Sequence, residues 1–292
     1  MKNIFKKTQM KIKLRTILLW FFIGLLSLGQ FQRIEFTGSL SNVNVYFHDI
    51  FIFLWLVGFS FIYASKFKDF TCFTSKNLIK KTIKKFKIEV IFISIVMLGI
   101  ILNIIQNKDF ISMLYNLRLF GYLLFGLSLK TLVLNKKMIA EDLRFKFFGF
   151  GLIILILGYL QLIFVKDTRF LAILGWDDHF NRLISTIFDP GFTGIILLIS
   201  YFYFLSLERF KNNKIVTTII TLNFFWGIAL TFSRATYLVL IISLLGLGVI
   251  KNSKTKNQFT LKKSLLYISI FIIMILLTPK PGGEGVDLSR TS

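Results

Sequence analysis

The stretch PGFTGIILLISYFYFLSLERFKNNKIVTTIITLNFFWGIALTFSRATYLVLIISLLGLGVI, residues 190–250, decides the fold. Three apolar runs follow one another in it, over 190–207, 215–232 and 236–250. A short turn carrying Arg209, Lys211 and Lys214 divides the first two, and only Ser233-Arg234-Ala235 divides the last two. At 1.5 Å of rise per residue, about 17–25 apolar residues match a hydrocarbon layer of about 30 Å. A soluble domain buries its apolar residues on one face of each element and does not read as one continuous run after another.

Working outward, further apolar runs lie at 16–31, 49–65, 89–106, 110–129, 147–165 and 265–278. The expectation is an all-α protein, a polytopic transmembrane helix bundle of about nine spans. The composition agrees, with 55% hydrophobic residues and three prolines in 292 residues. Residues 1–15 read as a basic amino terminus, 16–278 as the transmembrane helical domain, and 279–292 as the start of an outward loop. The first run lacks a small-x-small cleavage site and is followed by many others, so it reads as an uncleaved helix rather than a signal peptide. The chain stops at Ser292, about 14 residues past the ninth run, and reads as the front portion of a longer protein.

The net charge of +22 would suit a nucleic-acid partner, but its distribution argues against one. The lysines fall in clusters between apolar runs and so belong to loops rather than to one patch. With the amino terminus in the cytoplasm, cytoplasmic segments collect 27 Lys and Arg and the opposite side eight. That asymmetry sets the orientation. The expected location is a membrane crossed many times, with membrane lipids around the spans; that it is the bacterial plasma (inner) membrane is what the resemblance described below implies. The single cysteine, Cys72, allows no disulfide within the chain and no cysteine metal cluster.

The outward segments carry the less repetitive sequence, and chemistry is sought there. In NRLISTIFDPGFTG, 181–194, Asp189 fits an N-cap and Pro190 the first helical turn. Gly191 and Gly194 leave that helix end narrow. Its unpaired N–H groups suit an anion, and Arg182 could add a cation; the plainer alternative is a well-capped helix with an interfacial arginine. In TFSRATYLV, 231–239, Arg234 is held at the outer surface, where a guanidinium can bind phosphate in a bidentate manner or snorkel to lipid headgroups. Arg118 lies about 13 Å into its helix, too deep to face lipid cheaply, and should face the bundle interior or a wet cavity; the plainer alternative is a buried salt bridge or a pairing with backbone carbonyls. His48-Asp49 reads as a cap opening span two. Asp177, Asp178 and His179 form a cluster that could bind a metal or act as a base, but no further spaced ligands accompany it to build a metal site. No P-loop or dinucleotide fingerprint is present, and no cofactor or metal is expected.

The order NRLISTIFDPGFTG and then LTFSRATYLVL one span later resembles the O-antigen ligase and O-antigen polymerase superfamily, bacterial membrane glycosyltransferases that act on polyprenyl-linked sugars. The resemblance covers roughly 110–292 and is clearest over 182–240. It implies that Arg182 and Arg234 are catalytic, stabilising the leaving diphosphate. Arg118, Asp189, Gly191 and Arg290 would then contact substrate. The donor would be a glycan on undecaprenyl diphosphate and the acceptor a glycan or lipid hydroxyl. Gly191 stands where the family usually has Asn after the proline, and the family's large outer loop would begin near Arg290. Two other classes remain open on the residues. A transporter or flippase would use Arg118 as a mid-membrane substrate residue and calls for paired broken helices, of which none is found. A non-catalytic scaffold would leave the arginines dispensable.

Overall fold

Nine α-helices form among the described residues of the computed structural model, which are 2–35, 44–67, 87–106, 110–135, 138–210, 212–249, 260–279 and 281–283. They are α1 (Lys2–Ser27), α2 (Phe47–Phe67), α3 (Lys87–Gln106), α4 (Phe110–Leu134), α5 (Ala140–Phe164), α6 (Pro190–Leu205), α7 (Lys214–Thr231), α8 (Arg234–Val249) and α9 (Leu261–Leu277). Each overlaps one of the nine apolar runs, and the protein is all-α apart from two small ribbons. Among the described residues, Ile111–Leu134, Ala140–Phe164 and Lys214–Thr231 are long and apolar enough to cross a membrane. Shorter apolar helical stretches lie at Leu14–Ser27, Phe47–Ile62, Ile91–Asn103, Pro190–Leu205 and Arg234–Val249. Cys72, Asp109 and Arg290 fall outside the described residues.

The chain forms two units, Met1–Leu18 with Gln32–Ala140, and Leu19–Phe31 with Glu141–Ser292. In the first, β1 (Arg33–Glu35) and β2 (Asn44–Tyr46) pair antiparallel, with Ile34 opposite Val45, and β2 leads directly into α2. The Tyr122 hydroxyl donates to Asp49 at 2.5 Å, and Trp55 Nε1 donates to Ser128 Oγ at 2.8 Å. The two contacts lie six residues apart on both helices and in the same order, so α2 and α4 run parallel.

The second unit is built on an aromatic core in which Tyr201, Phe204, Phe224, Phe225 and Phe271 are fully buried. Small residues let the helices approach: Gly151 faces Ser200, Gly227 faces Leu155, and Gly248 faces Ser264. Close backbone contact of this kind brings more side-chain atoms into dispersion range where apolar burial gives no drive between helices. Helix direction alternates. The Arg144 guanidinium near the start of α5 donates to Ser206 O, just after α6, at 3.1 Å. Arg209 pairs with Glu141 at 3.5 Å and Asp142 at 3.6 Å and lies over the Phe145 ring. Gln161, near the far end of α5, contacts the segment leading into α6. Along α8 and α9, Tyr237 meets Phe271 and Gly248 meets Ser264, an antiparallel register. The outer faces remain apolar, with Phe164, Ile219, Leu238 and Leu276 all more than half exposed.

Candidate functional site

One end of the second unit gathers the carboxyl ends of α5 and α7, the amino ends of α6 and α8, and the chain just after α9. Asp189 caps α6 as its sequence suggests, its carboxylate accepting from Phe192 N at 2.6 Å, with Pro190 in the first turn. Only Phe232 and Ser233 separate α7 from α8. Ser233 Oγ accepts from Thr236 N at 3.4 Å and from the Thr236 hydroxyl at 2.9 Å, a capping arrangement. Gly191 and Gly194 of α6 face Ser233 and Thr236 of α8, and a Cβ at Gly194 would overlap Thr236. Two helix amino termini therefore sit side by side. Their partial positive charges add at the same place.

The segment between α5 and α6 is threaded back through this end. A 3₁₀ turn over Arg169–Leu174 closes on Gly175, whose φ of +82° is readily adopted only by glycine. β3 (His179–Phe180) follows and pairs antiparallel with β4 (Gly282–Gly283), placing His179 opposite Gly283. Asp167 bridges Phe180 from the other edge. The start of the expected outward loop is thus folded onto the segment before α6. Thr168 anchors β3 twice, donating from both N and Oγ1 to His179 O at 2.9 Å. Gln161 accepts from Ile184 N and Ser185 N and donates to Arg182 O. Among the described residues, the non-glycine residues with positive φ are Asn181, Ser185, Phe188 and Phe232, all at this end. Each left-handed residue costs about 1–2 kcal/mol, so the surrounding bonds must over-determine the backbone here.

Arg182 is 8% exposed. Its Nε donates to Thr231 O at 3.2 Å, and its Nη1 lies 3.4 Å from His179 Nδ1. Burial lowers its affinity for a proton from the usual arginine value, with Asp189 opposing and Arg234 adding to the effect. Arg234 is exposed at the first position of α8 and makes no hydrogen bond or ion pair among the described residues. Its charge reaches Arg182. Like charges held at paired helix amino termini create a site that an anion relieves. His179 is 2% exposed, and burial, then Arg182, lowers its pKa from the usual imidazole value. At the rim, exposed Asp167 is held down to about 2 by hydrogen bonds from Arg169.

The structure thus brings Arg182, Arg234, Asp189 and Gly191 together at one end of one unit. Arg118 belongs to the other unit. There its guanidinium pairs with Asp49 at 3.2 Å, donates to Asn44 O, and lies against the Tyr46 and Tyr115 rings. Arg118, Asp49 and Tyr115 border a cavity of about 300 Å³ that is otherwise lined by residues such as Ile52, Phe53, Leu56 and Leu117. Asp49 also accepts from Tyr46 N at 3.0 Å, which is its expected capping role. Its second role, as the counterion of Arg118, was not visible in the sequence because the two lie 69 positions apart. Gln161 and His179 were missed as supports of Arg182. A glutamine inside an apolar run was the only signal for the first. Asp177, Asp178 and His179 form no metal-binding group among the described residues.

Compared with protein-family models, with curated proteins and with solved structures, the chain matches none.

Proposed function

We propose that the protein is a membrane glycosyltransferase of surface polysaccharide assembly, transferring or polymerising glycan from undecaprenyl diphosphate at the outer face of the bacterial plasma membrane. The observation that carries the proposal is the meeting of Arg182 and Arg234 at the paired amino termini of α6 and α8. In such a transfer an acceptor hydroxyl attacks the anomeric carbon, the bond to the lipid diphosphate breaks, and negative charge grows on the departing phosphate. Fixed guanidinium and backbone N–H donors aimed at that charge stabilise the transition state without having to reorganise. Arg182, clamped by Thr231 and buried, suits orientation of the phosphate. Arg234, exposed and uncommitted, suits direct bidentate contact.

The proposal includes nine spans with the amino terminus in the cytoplasm. It draws support from the overlap of nine helices with nine apolar runs and from the alternating direction of α5 to α9. It draws further support from the basic residues Arg144 and Arg209, which sit at the end of the second unit opposite Arg182. In spheroplasts, Cys72 is expected to react with a membrane-impermeant maleimide only after lysis. A cysteine introduced at Asp178 in a Cys72→Ser background should react without it. Labelling on the reverse sides would overturn the orientation.

The activity is tested with membranes that hold the protein and are supplied with an undecaprenyl-diphosphate glycan and its acceptor. Free undecaprenyl diphosphate and a lengthened or transferred glycan should appear together, in equal amounts. Movement of the intact lipid-linked glycan across the bilayer without cleavage would instead identify a flippase.

A further inference from the structure

His179 is one of two histidines in the chain, and the proposed chemistry leaves it without a role. We infer that His179 is the positioning residue for Arg182: its Nδ1 accepts from the Arg182 Nη1–H and fixes the plane in which that guanidinium meets a phosphate, so that protonating His179 releases the guanidinium and weakens anion binding. This rests on the functional reading above.

The geometry supplies the argument. His179 is held at its backbone by two donors from Thr168, by the register with Gly283, and by the neighbouring bridge from Asp167 to Phe180. Its backbone is fixed, and at 2% exposure the ring has little room to turn. Arg182 is gripped on one edge by Thr231 O at 3.2 Å and on the other by His179 Nδ1 at 3.4 Å. Two separate elements, the α7 carboxyl end and β3, thus define one guanidinium plane. Bidentate phosphate contact demands such definition, because a guanidinium rotated out of plane offers one hydrogen bond instead of two.

The contact also selects a tautomer. Nδ1 accepts only when unprotonated, which puts the proton of the neutral ring on Nε2. Nε2 is buried and has no hydrogen-bond partner among the described residues. Ordinary core packing avoids a buried orphan of this kind. Its burial also keeps the ring from reaching an acceptor hydroxyl, which argues against His179 as the general base. On protonation both ring nitrogens become donors, and an N–H on Nδ1 would face the Arg182 N–H. The contact then turns from attractive to repulsive.

The charged groups facing His179 are Arg182, which opposes its protonation, and Asp177, Asp189 and Asp178, which favour it. The facing strand β4 contributes only Gly282 and Gly283. Burial and Arg182 prevail, so the ring is neutral at neutral pH and gains its proton only below the ordinary imidazole value of about 6.5. Binding should accordingly be full at neutral pH and weaken only as the pH falls below the ordinary imidazole range.

The test uses the full chain purified in detergent, with farnesyl diphosphate as the probe, over pH 5 to 8. His179→Asn presents Oδ1 close to where Nδ1 stood but has no proton to gain. His179→Leu has similar bulk and no acceptor. At pH 8 we expect His179→Asn to bind within about threefold of wild type and His179→Leu at least tenfold more weakly. Wild type should weaken about tenfold more on acidification than His179→Asn, whose remaining slope reports the titration of the diphosphate itself. An unchanged acid slope in His179→Asn overturns the inference even if His179→Leu proves too unstable to measure. So does wild-type affinity in a folded His179→Leu. If wild type and Arg182→Ala are equally unable to bind at any pH, the diphosphate reading fails and takes this inference with it.

Discussion

Arg234→Ala is expected to abolish surface-polysaccharide assembly in cells while the protein stays inserted at its normal level. Arg234 is exposed at the first position of α8 and makes no hydrogen bond or ion pair among the described residues, so its removal breaks no contact that holds the fold. Loss of one preorganised donor to a developing oxyanion costs about 10²–10³ in rate. A polymerising reaction slowed by that factor leaves no measurable polymer. Arg234→Lys keeps the charge but offers a compact ammonium in place of a planar fork, so it too should fail where two phosphate oxygens are gripped at once. Surface polysaccharide resolved by length on a gel, with membrane protein levels measured alongside, reads both variants. Lys166→Ala, at the same end of the unit, serves as the control and should assemble polymer normally. Normal polymer in Arg234→Ala would remove the proposed chemistry. Polymer in Arg234→Lys alone would reduce Arg234 to a point charge.

Much of the helical layout could be read from the chain because one physical requirement, a continuous apolar run long enough for the hydrocarbon layer, writes itself locally. The start of α6 shows how far local chemistry reaches. Asp189, Pro190 and Gly191 announce a cap, a first turn and a narrow helix end, and all three are found there. The tightness of the α7–α8 joint followed from the absence of any loop composition between two apolar runs. The legible part ends where contacts are distant in sequence. Nothing in Gly282-Gly283 signals a strand, because the pairing is decided by β3, more than 100 positions earlier. Likewise, the grip of Thr231 on Arg182 joins a carbonyl to a side chain, and a carbonyl leaves no trace in residue type. Strain is similarly silent: Asn181, Ser185, Phe188 and Phe232 adopt positive φ without being glycine, so only the surrounding hydrogen bonds reveal it.

Arg118 requires a different prediction from Arg234, although the family resemblance would set both beside the substrate. Arg118 is 20% and Asp49 16% exposed at the side chain, and the two are 3.2 Å apart. Asp49 also accepts from Tyr122 at 2.5 Å and from Tyr46 N at 3.0 Å, so its charge is spread over a network. Removing one partner of a largely buried pair strands the other, which typically costs about 3–5 kcal/mol. The remaining donors to Asp49 place Arg118→Leu at the lower end, about 3 kcal/mol. At about 2–4 °C per kcal/mol for a chain of this size, purified Arg118→Leu should unfold roughly 6–12 °C below wild type.

The decisive measurement is the double variant. Asp49→Asn with Arg118→Leu removes both charges and keeps an oxygen to cap α2, so most of the lost stability should return. A substrate-binding arginine without a structural debt behaves in the opposite way: the single variant unfolds at the wild-type temperature, and the double variant is no better than the single. An intermediate case is also readable. If the double variant regains stability while surface polysaccharide remains absent, the guanidinium serves the ion pair and also the cavity of about 300 Å³ that it borders. Rescue of both stability and polymer would leave Arg118 a clamp between β2, α2 and α4, and would assign phosphate recognition to the end of the second unit, where Arg182 and Arg234 meet.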